Sequence, residues 1–210
     1  MKIVIFGANG RTGSLLVQQA LESGLQVIAY VRKNGSILID HPKLKVVVGN
    51  LNETLKIKDC IIGSDACISA LGSGSISKHA TEIIEGIERI ITVMEEIKVH
   101  RLIYLSSLGA GKSFFMMSQP LRFLVFNVFL RVPFADHNVN EQRIIDSNLQ
   151  WTIVRPGNLT NGLLTGNFKH GIKKIVLKGN PKISRANVAS FILKQITEET
   201  YIKKCVWLYE

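Results

Sequence analysis

The stretch Lys2–Ser14 reads KIVIFGANGRTGS, and it decides the fold. Four apolar residues, Ile3 to Phe6, run straight into Gly7, as a buried strand does. Beyond Gly13, Leu15, Leu16, Gln19, Ala20 and Leu21 fall at helical spacing, and Gly24 supplies a C-terminal stop. Gly7, Gly10 and Gly13 therefore sit on a tight strand-to-helix turn. Such a turn aims unpaired N–H groups and the positive end of a helix dipole at one point, where an anion is stabilised. The question is what passes so close to three glycines that a side chain cannot be allowed there.

Outward from this turn, strand-like runs recur at Gln26–Val31, Leu44–Gly49, Asp65–Leu71, Arg101–Ser107 and Trp151–Pro156. Helical patterns lie between them. The clearest spans Ser77–Val99, with Ile83, Ile84, Ile87, Ile90, Ile91, Val93, Met94 and Ile97 on one stripe; another runs from near Asp136 to Asn148. Strands apolar on both faces and alternating with helices imply a doubly wound, Rossmann-like α/β fold with a parallel sheet. One domain covering residues 1–210 is expected, with substrate-side segments at about 108–140 and 157–182. An apolar content of 46% supplies its core.

Cys60, Cys67 and Cys205 form no C-x-x-C pair and have no histidine at metal-ligand spacing. That reads against a disulfide framework and against a metal site. Met1–Phe6 is too short and too abruptly ended for a secretory leader, so a cytoplasmic setting is expected. The formal charge is +10, and Lys169, Lys173, Lys174, Lys178, Lys182, Arg185, Lys194, Lys203 and Lys204 concentrate it in the last quarter. Such a field suits phosphorylated cofactors, nucleic acid or an anionic membrane alike, or is a solvated surface. No helix-turn-helix cue, zinc-finger spacing or RNP-type motif points to nucleic acid.

The glycine spacing G-x-x-G-x-x-G gains its force from position, after a first strand and at the start of a first helix, where dinucleotide folds hold a pyrophosphate. At the end of the second strand, where an NAD site places an acid for the ribose hydroxyls, stand Arg32 and Lys33. A guanidinium there pairs with a 2′-phosphate, which favours NADP(H) over NAD(H). SLGAGKS, residues 107–113, imitates a P-loop but has Ser106 where that motif requires glycine. Ser106 and Ser107 instead fall at the carboxyl edge of the sheet, where open α/β sheets bind ligands.

Taken together, GANGRTG, YVRK (Tyr30–Lys33), GNL (Gly49–Leu51), SALG (Ser69–Gly72), LIYLSSLGAG (Leu102–Gly111) and QWTIVRPGNLTNG (Gln150–Gly162) resemble the atypical short-chain dehydrogenase/reductases. They are most similar to the NAD(P)H-binding, NmrA-like group that includes flavin reductase/biliverdin reductase B. The resemblance covers nearly the whole chain. It implies that Gly7, Asn9, Gly10, Arg11, Thr12 and Gly13 surround the pyrophosphate, that Arg32 and Lys33 meet the 2′-phosphate, and that Asn50 and Leu51 lie near adenine. Ala70, Leu71 and Gly72 would run beside the ribose, Ser106 and Ser107 near nicotinamide, and Pro156, Gly157 and Asn158 beyond it. Many relatives carry Asp where Asn50 stands; an amide still hydrogen-bonds adenine.

The catalytic side departs further. Carbonyl-reducing members protonate the nascent alkoxide with a tyrosine and a lysine four residues on, yet none of Tyr30, Tyr104, Tyr201 and Tyr209 falls between Ser107 and Trp151. His137, beside Asp136, is the replacement candidate, with Ser107 as the second catalytic candidate; Asp136 reads equally as a helix cap. An acceptor that takes hydride onto a conjugated ring and its proton from water does without the tyrosine, as flavins, quinones and linear tetrapyrroles do. The alternative is a non-catalytic NmrA-like NADP(H) sensor acting through a protein partner. The apolar segment 114–134, interrupted by Pro120, Arg122 and Arg131, is too broken to span a bilayer and reads as core, homodimer interface, membrane-leaning patch or acceptor wall.

Overall fold

The aliphatic runs of the sequence become the strands of one central sheet. The structure, a computed structural model, describes residues 1–72, 79–116, 131–175 and 179–210. In chain order it contains β1 (Lys2–Phe6), α1 (Arg11–Glu22), β2 (Gln26–Val31), β3 (Leu44–Val48), α2 (Thr54–Ile61), β4 (Ala66–Ser69), α3 (Thr81–Glu96) and β5 (Arg101–Leu105). A 3₁₀ turn (Gly111–Met116) follows, then α4 (Arg131–Asp146), β6 (Gln150–Pro156), β7 (Asn158–Thr160), β8 (Lys169–Gly171), β9 (Lys182–Ser184), α5 (Arg185–Lys194) and β10 (Lys204–Tyr209).

The main sheet runs β3-β2-β1-β4-β5-β6-β10-β8, parallel throughout except for β8, which pairs antiparallel with β10. A separate parallel pair, β7 and β9, lies beside it. This is the Rossmann-like doubly wound arrangement. Strand alternation divides the core: Ile3 and Ile5 of β1 face α1 and α5, whereas Val4 and Phe6 face α2 and α3. Leu16, Val17 and Ala20 of α1 pack with Val188, Ala189 and Ile192 of α5 on the first side; Ile57, Ile87, Ile90, Met94 and Ile144 fill the second. Because β1 lies between β2 and β4, chain direction across the sheet reverses there, and a crevice opens at the carboxyl ends of β1 and β4.

Two local expectations change. Leu44–Gly49 is not buried on both faces: β3 is the edge strand, so Lys45, Val46 and Val48 are exposed. The helix expected from near Asp136 already covers Arg131 to Asp146 among the described residues, so Asp136 lies within it. Of the apolar segment 114–134, residues 117–130 lie outside the described residues, as does the expected start of the third helix at Ser77.

Candidate functional site

The three glycines of the first turn do different jobs. Gly7 adopts φ +77°, and a Cβ there would lie 2.7 Å from the Ala70 carbonyl oxygen; one on Gly13 would lie 2.0 Å from the Gly7 oxygen. Both are required by the protein's own backbone, Gly7 against the end of β4 and Gly13 where α1 closes over the turn. Gly10 is exposed, and a Cβ there would meet only the Gly7 oxygen, at 3.2 Å. It borders an open cleft. Gly10 is also the N-cap of α1 and offers no capping side chain, and no acidic residue occupies the first turn. The leading N–H groups and the dipole are thus left for a ligand.

The cleft holds about 590 Å³ and brings together Gly7, Asn9, Gly10, Arg32, Asn50, Leu51, Ala70, Leu71 and Gly72 of the sequence-derived set. Arg32 is exposed and makes no ion pair among the described residues. Lys33, Arg11 and Thr12 stand nearby in the chain but do not line the cleft. Tyr30, which the sequence presents only as strand core, supports the wall of the cleft at Gly49 and Asn50. Its hydroxyl donates to the Asn50 carbonyl at 2.8 Å and stands over Gly49, where a Cβ would lie 2.3 Å away. Burial, reinforced by Glu53, pushes the Tyr30 phenol up to about 12. Arg89, hidden in the polar stripe of α3, donates to the Leu51 carbonyl and pairs with Glu85, both at 3.3 Å. Leu51 reaches α3 because Gly86 leaves it room.

A second cationic feature appears only in three dimensions. Arg11 opens α1 and Arg185 opens α5, so each guanidinium sits at the helix end where the dipole disfavours a cation. Burial, with the Arg11 charge beside it, lowers the Arg185 guanidinium below its ordinary value. The Arg185 guanidinium donates to Asn161 Oδ1 at 2.6 Å.

At its other end the cleft shares Leu71, Gly72 and Ile83 with a smaller cavity of about 90 Å³ that reaches Tyr104 and His137. The Tyr104 hydroxyl lies 3.0 Å from His137 Nδ1, and Asn140 Nδ2 donates to the same hydroxyl at 3.3 Å. Burial raises the Tyr104 phenol above its usual range and lowers the His137 imidazole. Asp136 is no cap, since it lies inside α4; its carboxylate accepts the Ala80 N–H at 2.8 Å and pairs with His79, tying the chain after β4 to α4.

The remaining candidates stand apart from the cleft. Ser106 is buried and donates to Glu141 at 2.6 Å, while Arg155 clasps both oxygens of the same carboxylate at 2.9 and 2.6 Å. Ser107 is half-buried, with its hydroxyl directed at the Leu108 carbonyl, 3.4 Å away. Its bond is not with His137. Pro156 and Gly157 are buried at the end of β6, and a Cβ on Gly157 would lie 2.5 Å from the Pro181 oxygen; Asn158 is exposed at the start of β7. Among the described residues no three His, Cys, Asp or Glu side chains gather as a metal site, and no helix is long and apolar enough to cross a membrane.

Residues 7–199 match the NAD(P)H-binding family, a span that holds the phosphate turn, the cleft and the Tyr104–His137 cavity. The chain belongs to that family. It is similar to protein YMR090W of Saccharomyces cerevisiae, 26% identical over 99% of this chain and 92% of the yeast protein. Among solved structures, a short-chain dehydrogenase/reductase from Veillonella parvula in complex with NADP superimposes with a TM-score of 0.84 at 18% identity, covering 100% of this chain and 94% of that one. ChuY, an anaerobilin reductase from Escherichia coli O157:H7, superimposes with a TM-score of 0.82 at 20% identity, covering 100% and 97%. The membership that the sequence motifs imply is thus established, and the fold is that of Rossmann-type oxidoreductases. As an NAD(P)H-binding protein, the chain presents a cofactor-sized cleft, an uncapped helix N-terminus and an open Gly10, which suit a dinucleotide.

Proposed function

We propose that this NAD(P)H-binding protein is an NADPH-dependent reductase that delivers hydride to a planar conjugated acceptor of the flavin, quinone or tetrapyrrole class. The observation that carries the reading is the continuity of the cleft with the Tyr104–His137 cavity through Leu71, Gly72 and Ile83. Bound NADPH would supply the hydride; the acceptor gains that hydride and one proton.

The residues divide the remaining work. The first turn of α1, with Asn9, Arg11, Thr12 and Arg185, holds the diphosphate. Arg32, helped by Lys33, holds the 2′-phosphate, because no acid neutralises it among the described residues and none stands where an NAD site needs one. Asn50 and Leu51 flank adenine, braced by Tyr30 and Arg89. Ala70 to Gly72 guide the ribose toward the acceptor end. A cavity of about 90 Å³ bordered by Leu71, Ile83 and Pro133 admits the edge of a flat ring system. There His137, kept neutral by burial, and Tyr104 can hold a proton or a polar ring atom in place. Ser107 stands at the carboxyl edge of β5 as a weaker positioning candidate.

An acceptor panel followed at the NADPH absorbance tests the proposal. Oxidation is expected with FMN, riboflavin, a quinone or biliverdin, and negligible oxidation with simple ketones and aldehydes. Tight NADPH binding with no turnover on any acceptor would replace the reductase reading by that of an NADP(H) sensor.

A further inference from the structure

Helix α4 presents two stripes. Pro133, Asp136, His137 and Asn140 face the cavity at the end of the cofactor cleft, whereas Asn138, Glu141, Gln142 and Ile145, at the same i, i+3, i+4, i+7 spacing, border a different pocket of about 620 Å³. No residue lines both. The floor of the second pocket is the sheet face that α4 leaves uncovered, with Trp151 and Arg155 of β6 beside Cys205 and Trp207 of β10.

Its chemistry is aromatic walls under a cationic rim. Lys112, Lys174, Lys203 and Lys204 line it, all exposed, and none makes an ion pair among the described residues. Glu141 is the acid among the described lining residues, and the bidentate bond to Arg155 consumes its charge. The four ammonium groups are therefore without an ion-pair partner among the described residues. Trp207 is fixed by its Nε1–H, which donates to the Lys173 carbonyl at 2.8 Å, and its ring lies against Tyr209 with centroids 5.5 Å apart. Trp151 is 6% exposed, and its Nε1–H has no hydrogen-bond partner among the described residues. Lys203 is held at φ +55°, with its N–H on the Trp151 carbonyl at 2.7 Å, a conformation that non-glycine residues adopt sparingly.

We propose that this pocket is a second ligand site, distinct from the cofactor cleft, that binds a planar aromatic carboxylate. Its volume lies in the range of small-molecule sites. The half-buried indole of Trp207 takes a flat ring by stacking, with the edge of Trp151 below it, the lysine rim takes the carboxylate, and the lysines raise the local concentration of such an anion. A second copy of this chain is a poor occupant, since it would bring the same lysines to the same rim.

The chain's two tryptophans are Trp151 and Trp207, so all its tryptophan fluorescence arises in this pocket. Pyrene-1-carboxylate, whose absorption overlaps tryptophan emission, is the probe, titrated into full-length protein with NADP⁺ saturating the cleft. Saturable quenching is expected, and neutral pyrene-1-methanol should bind at least several-fold more weakly. The double variant Lys174→Glu/Lys204→Glu should weaken the carboxylate about 10-fold, in line with two reversed exposed pairs, and leave NADP⁺ affinity unchanged. Absence of saturable quenching, equal affinity for the neutral analogue, an undiminished affinity in the double variant, or displacement of the probe by NADP⁺ would each overturn the site. The NADP⁺ titration on its own reports separately on the cofactor cleft.

Discussion

The Tyr104 hydroxyl and His137 Nδ1 lie 3.0 Å apart in the small cavity that adjoins the cofactor cleft, and burial holds the imidazole below its ordinary pKa. Glu141 and Asp136 oppose that shift without cancelling it. A histidine depressed in the folded state binds fewer protons there than in the unfolded chain, so its contribution to stability is present above the unfolded value and falls as pH drops below about 6.5. Urea unfolding between about pH 8 and 5 should therefore show a slope that His137→Asn flattens. An unchanged slope in the variant would show that His137 is solvated.

If Tyr104 and His137 act together on the acceptor, Tyr104→Phe and His137→Ala should each lower kcat, and the double variant should lose little more than the worse single one. A general acid contributes about 10²–10⁴-fold, and water replacing it would hold the loss near or below the lower end. The Kd for NADPH should not move. Steady-state kinetics of the three variants, beside a cofactor titration, decide it; losses that multiply independently mean that the two side chains do not form a unit.

Arg32 should distinguish the cofactors. Losing one charge-assisted pair in Arg32→Ala is expected to weaken NADPH about 10- to 100-fold and leave NADH nearly unchanged. Calorimetric titration of both cofactors measures this. Equal wild-type affinities for NADPH and NADH would remove the 2′-phosphate from Arg32.

Arg185 should behave differently, because the diphosphate is common to both cofactors. Arg185→Ala is expected to weaken NADPH and NADH alike, by about 10-fold for one charge-assisted contact. The melting temperature of the cofactor-free protein should change little, since loss of the 2.6 Å bond to Asn161 Oδ1 is offset by removal of a cation from a helix N-terminus. A selective loss of NADPH would instead place Arg185 at the 2′-phosphate.

Gly10 and Gly13 should separate binding from folding. Gly13→Val must displace the Gly7 carbonyl, which a Cβ would approach to 2.0 Å, so the variant should fold poorly or not at all. At Gly10 the side chain would enter the cleft, with only the Gly7 oxygen 3.2 Å from its Cβ. Gly10→Val should keep its circular dichroism spectrum and melting transition and lose both cofactors. A Gly10→Val protein that still binds dinucleotide would refute the phosphate role of the turn.

The sequence by itself determined the parallel sheet, its helices and the glycine turn, because these rest on local signals: β-branched runs buried on both faces, apolar stripes at helical spacing, and glycines between a first strand and a first helix. It also placed Arg32 just beyond the end of β2, where the structure has it lining the cleft. What it could not separate was the work of the three glycines. Only the close approach of Ala70 to Gly7, and of Gly7 to Gly13, shows that two of them serve backbone packing. Tyr104 had the appearance of one more core residue of β5, and its hydroxyl acquires meaning only because α4 lays His137 and Asn140 across it, 33 and 36 residues further along the chain. Arg185, Arg89 and Tyr30 are likewise ordinary in sequence, since a charge or a hydroxyl takes its role from neighbours that folding supplies. Ser106 shows the converse: it stands at the expected sheet edge, yet the tertiary structure commits its hydroxyl to Glu141, whose carboxylate, buried beside Arg155, needs that bond.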